Sequence, residues 1–88
     1  MTTRAVITRK RLLTIMPHDR EAPARRIVVT TTSDGKETPY VMHGEVGVTF
    51  RWDDGGAVTY PWTSIFALIE RPVEPDFLLP EGWQGIDR

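Results

Sequence analysis

Side chains able to act on a substrate are few in this chain, and they are scattered. His18 and His43 are the only histidines and cysteine is absent, so thiolate nucleophiles, disulfides and cysteine-based metal sites have no residues to build them. His43 and Glu45 stand two residues apart and would share one face of a strand, the spacing of a proton-relay pair. An ordinary half-exposed strand pair explains the same spacing. Ser33 lies beside Asp34-Gly35 and Ser64 follows Pro61-Trp62-Thr63, turn contexts that bring no base to either hydroxyl. No catalytic residue, metal ligand or cofactor motif is assigned, and the chain is expected not to be an enzyme.

The remaining candidate for chemistry is Trp52-Asp53-Asp54-Gly55-Gly56. A calcium loop of this kind needs further oxygen ligands at alternating positions and a glutamate beyond them. The next residues, Ala57 to Trp62, supply none. A phosphate loop needs a lysine and a hydroxyl leading into a helix, and neither follows. A turn between strands fits better. Val46, Val48, Phe50 and Trp52 alternate on one side, and Val58, Tyr60 and Trp62 on the other. A two-residue turn at Asp54-Gly55 would put the two apolar rows on opposite faces. A three-residue loop, Asp54-Gly55-Gly56, pairs Trp52 with Val58, Phe50 with Tyr60 and Val48 with Trp62, and puts a glycine in the left-handed position such loops require.

The elements that must position these residues are mainly strands. Ile27 to Thr32 is β-branched throughout, and Ser33-Asp34-Gly35-Lys36 has the composition of a tight turn. Arg4 to Met16 carries both a broken strand pattern and a broken helical one. Val6, Ile7, Thr8 and Thr14 favour strand, which Pro17 ends. Pro17 to Arg26 is a charged, proline-bearing loop. After Pro39 a long strand is expected from Tyr40 to Trp52, with Gly44 and Gly47 marking a bulge or bend. Pro61-Trp62-Thr63-Ser64 predicts a 3₁₀ turn feeding a last strand at Ile65 to Glu70.

Phe50-Arg51, Gly56, Val58, Pro61, Ile65 and Ile69 follow in the order strand, glycine turn, strand, proline, short turn, strand. This resembles the end of SH3-like and Sm-like small barrels, and of the stringent starvation protein B adaptors. The resemblance spans residues 50–69 and implies a mainly β fold, a small antiparallel barrel of about five strands. The SH3 aromatic-acidic opening and the Sm RNA-contact signature have no counterpart here, so no binding residues carry over. In style the chain is similar to short accessory proteins of high-GC bacteria and their phages. The expected organisation is a barrel at residues 1–71 with a C-terminal extension at 72–88.

With 88 residues the chain is small for an unstapled core, and self-association as a homo-oligomer would help it. No apolar run approaches a membrane span and no signal peptide is legible, so a cytoplasmic setting is expected. The net charge of −1 hides an asymmetry: residues 1–26 hold seven basic side chains against two acidic, and residues 27–88 hold four against ten. The two halves can pair within the fold, or the basic half can meet an acidic partner.

Two surfaces are candidates for partners. The extension brings Phe77, Leu78, Leu79 and Trp83 into an apolar cluster, either closing the barrel or anchoring a protein partner, where aromatics commonly dominate binding. The alternative is nucleic acid on Arg4, Arg9, Lys10, Arg11, Arg25, Arg26 and Arg51, with Trp52, Tyr60 and Trp62 stacking bases. A protein-interaction module is the favoured expectation, since a sequence pI near 6.1 is low for a nucleic-acid binder.

Overall fold

The structure is a computed structural model that describes residues 7–86. Seven strands and one 3₁₀ turn follow in order: β1 Thr8–Pro17, β2 Arg25–Thr32, β3 Glu37–Thr38, β4 Tyr40–His43, β5 Gly47–Arg51, β6 Ala57–Pro61, the turn Trp62–Ser64, and β7 Ile65–Val73. They make two antiparallel sheets, A in the order β3-β2-β1-β7 and B in the order β4-β5-β6. The fold is thus mainly β. No described helix is long and apolar enough to cross a membrane.

Strand alternation decides what the two sheets bury. In sheet A, Leu13 lies between Ile27 and Glu70, and Ile15 between Arg25 and Leu68. Directly opposed residues share a face, so Leu13, Ile15, Ile27, Val29 and Leu68 face inward. Leu12, Thr14, Arg26, Val28, Ile69 and Arg71 face outward. Sheet B adds Val48 and Phe50, both fully buried, and the core closes with Ile65 and Ile86. Val41, Trp52, Val58, Tyr60 and Trp62 pack around it, half-buried. The first segment is therefore a strand from Thr8 onward, because its odd positions meet the apolar row of β2. Arg4 lies outside the described residues.

The expected long strand at Tyr40 to Trp52 is instead a hairpin. Gly44 N–H donates to the Gly47 carbonyl at 2.9 Å, with Glu45 and Val46 at the tip, and His43 pairs with Val48. Gly47 is needed here for close approach, since a Cβ would meet the Tyr60 and Pro61 backbone of the neighbouring strand. This reversal and the short β3 raise the strand count above the five expected.

The loop after Trp52 has the expected length but sits one residue earlier. Trp52 N–H donates to Gly56 O at 2.8 Å and Gly55 N–H to Trp52 O at 3.0 Å, which leaves Asp53-Asp54-Gly55 as the loop. Gly55, at φ 90°, holds the left-handed position, which a loop at Asp54-Gly55-Gly56 would have given to its last residue, Gly56. Phe50 consequently faces Val58, Val48 faces Tyr60 and Gly47 faces Pro61. The physical cause is local. Either glycine suits the left-handed position, and in the placement adopted Asp54 Oδ1 accepts the Gly56 N–H at 2.9 Å. Because the pairing moves by a whole side-chain period, the apolar rows still share a face.

Beyond Val73 the chain crosses back over the outer face of sheet A. Two turns, closed by Phe77 N–H to Glu74 O at 2.9 Å and Trp83 N–H to Pro80 O at 3.2 Å, bring it to the far edge of β2. There Arg26 N–H donates to Gln84 O at 2.9 Å and Ile86 N–H to Arg26 O at 3.2 Å, a parallel bridge that guides Ile86 into the core.

Candidate functional site

A sheet edge offers unpaired backbone donors and acceptors, so the first question is which edges stay open. In sheet A, β2 is bordered by β3 at Thr30 and Thr31 and by the tail at Arg26. Among the described residues no strand lies beyond β7. Natural edges are usually guarded by charge or proline. The second half of β7 follows that rule with Glu70, Arg71 and Pro72, while Ile65 to Ile69 carries neither.

This uncharged half contains a bulge. Met16 pairs with Ala67 and Pro17 with Ile65, so Phe66 is the extra residue between them. A bulge redirects the inserted side chain, and Phe66 is 72% exposed, with Ile69 at 49%. His18 meets the Phe66 ring edge-on at 5.9 Å between centroids. The loop after β1 and the Phe66 side chain border an open hollow of about 480 Å³, lined by Met16, Pro17, Ala22 and Ala24 with His18, Asp19 and Arg20. On the same outer face, Leu12, Thr14, Met16, Ile69, Arg71 and Trp83 line a second hollow of about 270 Å³, with Arg26 at its side. Met16 belongs to both.

The residues proposed from sequence are dispersed by the fold. Of the apolar tail cluster, Phe77 and Leu79 are half-buried, Leu78 is 79% exposed and Trp83 is 38% exposed. Trp83 lies flat enough for the Arg26 guanidinium to sit 4.2 Å above its ring. The basic residues divide by strand parity: Arg9, Arg11 and Arg25 fall on the inner-face positions of sheet A, Lys10 and Arg26 on the outer, and Arg51 on the outer face of sheet B. Arg11 is held by carboxylates, 2.7 Å from Glu37 and 3.0 Å from Glu70. The second Glu37 oxygen accepts the Val41 N–H at 2.9 Å, so this cluster ties β1, β7, β3 and β4 together. The aromatics sit at the core margin. Tyr60 meets Phe50 edge-on, and Trp62 stacks on His43 and donates its ring N–H to Gly44 O at 2.7 Å.

Nothing at these positions assembles acid–base chemistry. His43 ends β4 and Glu45 lies in the turn beyond it, so the two are not on one strand face. Among the described residues no three His, Asp or Glu side chains stand together as a metal set. Ser64 Oγ donates to Pro61 O within its own turn. The β7 edge was missed in the sequence. Its one legible signal is the uncharged run Ile65 to Ile69, which a buried strand would show equally. Comparison with protein-family models, with curated proteins and with solved structures found no match to this chain.

Proposed function

We propose that the protein is a non-enzymatic interaction module that accepts an extended segment of a partner protein along the free edge of β7. The observation that carries this reading is the uncharged half-strand Ile65–Ile69, at an open sheet edge, with Phe66 turned out by a bulge. Strand addition draws affinity from main-chain hydrogen bonds and specificity from pockets that take alternate side chains. The hollows beside Phe66 and Ile69 are placed to act as such pockets. We further assign the two sheets to the SH3-like and Sm-like class of small barrels, supported by the order glycine hairpin, 3₁₀ turn and final strand. A phage-type accessory role on a host protein in the cytoplasm suits a small module of this kind. Nucleic-acid binding has less support, because Trp52, Tyr60 and Trp62 pack against the core.

The test uses the chain as bait and replaces the exposed apolar positions of the edge, Phe66→Lys with Ile69→Lys. Both side chains point to solvent, so circular dichroism should stay that of the wild type while the captured partner disappears. A Trp83→Ala bait should keep most of it. Recovery of the same partner by the edge variant refutes the edge reading. Light scattering on the same variants shows whether the edge partner is instead a second copy of this chain.

A further inference from the structure

We infer that the outer face of sheet A carries a two-part groove for an extended acidic peptide with one apolar anchor; this rests on the β7-edge reading and names the partner's chemistry. The hollow floored by Met16 and walled by Phe66 joins an apolar floor to His18, Asp19 and Arg20, while the hollow beside it presents Arg26 and Arg71 above Leu12 and Ile69. The two hollows meet at Met16, and the second reaches across β1 from Ile69 and Arg71 on β7 to Arg26 on β2.

Among the described residues no carboxylate lines the second hollow. The ion pairs among the described residues join Arg11 to Glu37 and Glu70, and Lys36 to Asp53, leaving Arg26 and Arg71 without an acidic partner. Arg26 is also steadied in place by its stack on Trp83. Guanidinium groups held beside an apolar floor suit a carboxylate on an otherwise apolar ligand, because the planar fork pairs with both carboxylate oxygens. Thr14, 8% exposed between the two arginines' strands, adds a hydroxyl to the floor.

Spacing constrains the ligand. Phe66 and Arg71 are five residues apart on β7, roughly 17 Å at a strand's rise of ~3.3 Å per residue. A strand added to β7 would therefore place an apolar side chain at the Phe66 end and an acidic one near Arg71 about four to six residues away, while Arg26, level with Ile69, takes a carboxylate that reaches inward across β1. Two arginines over that length are too few to follow a phosphate backbone, which favours a peptide over a nucleic acid.

The test measures fluorescence anisotropy of the full chain with a labelled nonapeptide of alternating Thr and Val that carries a Leu anchor and two Asp residues beyond it. Its companions have Lys for Asp, or backbone N-methyl groups at alternate residues; an oligothymidylate is the last probe. At low salt the Asp peptide should bind at least ~10-fold more tightly than the Lys peptide. In Arg26→Ala/Arg71→Ala that preference should fall to about unity, and in Arg71→Ala alone, at an exposed strand position, it should fall part of the way. Equal binding of the Asp and Lys peptides overturns the inference. So does a preference that survives the double variant, binding by none of the peptides, or tighter binding of the oligonucleotide. N-methylation separates the two readings: if it leaves the charge preference and affinity unchanged, the groove stands and the β7 edge does not.

Discussion

Replacing Gly47 with alanine should break the join between β5 and β6, and the geometry sets the size of the effect. Gly47 faces Pro61 across the hairpin. A Cβ there would collide with the Tyr60 carbonyl oxygen and lie 2.7 Å from Pro61 Cα and 2.8 Å from the Tyr60 carbonyl carbon. Carbon atoms pack at about 3.5–4.0 Å, so the strands must part by close to an ångström. The obstructing atoms are backbone and cannot rotate away. The adjoining Trp62 N–H to Val46 O bond, at 2.9 Å, lies in the path of that movement. Overpacking of this kind costs about 1–3 kcal/mol, and a lost hydrogen bond adds about 1. A total near 3 kcal/mol is a large share of the ~5–15 kcal/mol that holds a small domain together. For a domain of this size it corresponds to a fall in Tm of roughly 12–24 °C, at ~4–8 °C per kcal/mol. Trp52 and Trp62 pack at the core margin, so tryptophan fluorescence during thermal and urea unfolding reports the change directly. Gly44→Ala is the control, since a Cβ there meets only Gly47 O, at 3.5 Å, and should change little. If Gly47→Ala melts with the wild type, the Gly47–Pro61 pairing is wrong, and with it the register of sheet B.

The turn before β3 makes a prediction in pH. The Asp34 carboxylate accepts from Thr32 Oγ1 and from the Lys36 N–H, and these bonds hold it below the ordinary aspartate value of 3.8. A carboxyl depressed in the folded state adds stability that is present above 3.8 and is lost as pH falls through the lower folded value. Carbon-detected NMR titration should find Asp34 titrating below 3.8 in the wild type and closer to it in Thr32→Val. The tail makes a separate prediction. Deleting residues 84–88 removes Ile86 from the core and uncovers the β2 edge at Arg26, which should cost about 2–5 kcal/mol in chemical denaturation. An unchanged midpoint would show that the bridge contributes nothing to the fold.

Much of the secondary structure was legible because strand alternation is a local property. The run Ile27 to Thr32 is β2 almost residue for residue, and the 3₁₀ turn after Pro61 and the strand after it stand where predicted. The turn at Asp34-Gly35 formed as read, with Gly35 at φ 88°. The glycine pair at 55 and 56 gave the loop length and the common face of the aromatic rows. Which glycine took the left-handed position goes with contacts inside the loop, such as Asp54 Oδ1 to the Gly56 N–H, that a pattern argument does not reach. Gly44 and Gly47 misled for a related reason: a bend and a reversal look alike in sequence, and only pairing of His43 with Val48 separates them.

By itself, then, the sequence determined that this chain makes strands, where most of them turn, and which face of each is apolar. It did so because side chains alternate along a strand whatever lies beyond it. Tertiary structure alone decided that Arg11 is drawn to Glu37 and Glu70 while Arg26 and Arg71 are left for the outer groove. It alone brought Gln84 to Ile86 beside Arg26, and left β7 at an open edge with Phe66 turned outward. These features depend on the order in which strands assemble, and no residue records its neighbour two strands away.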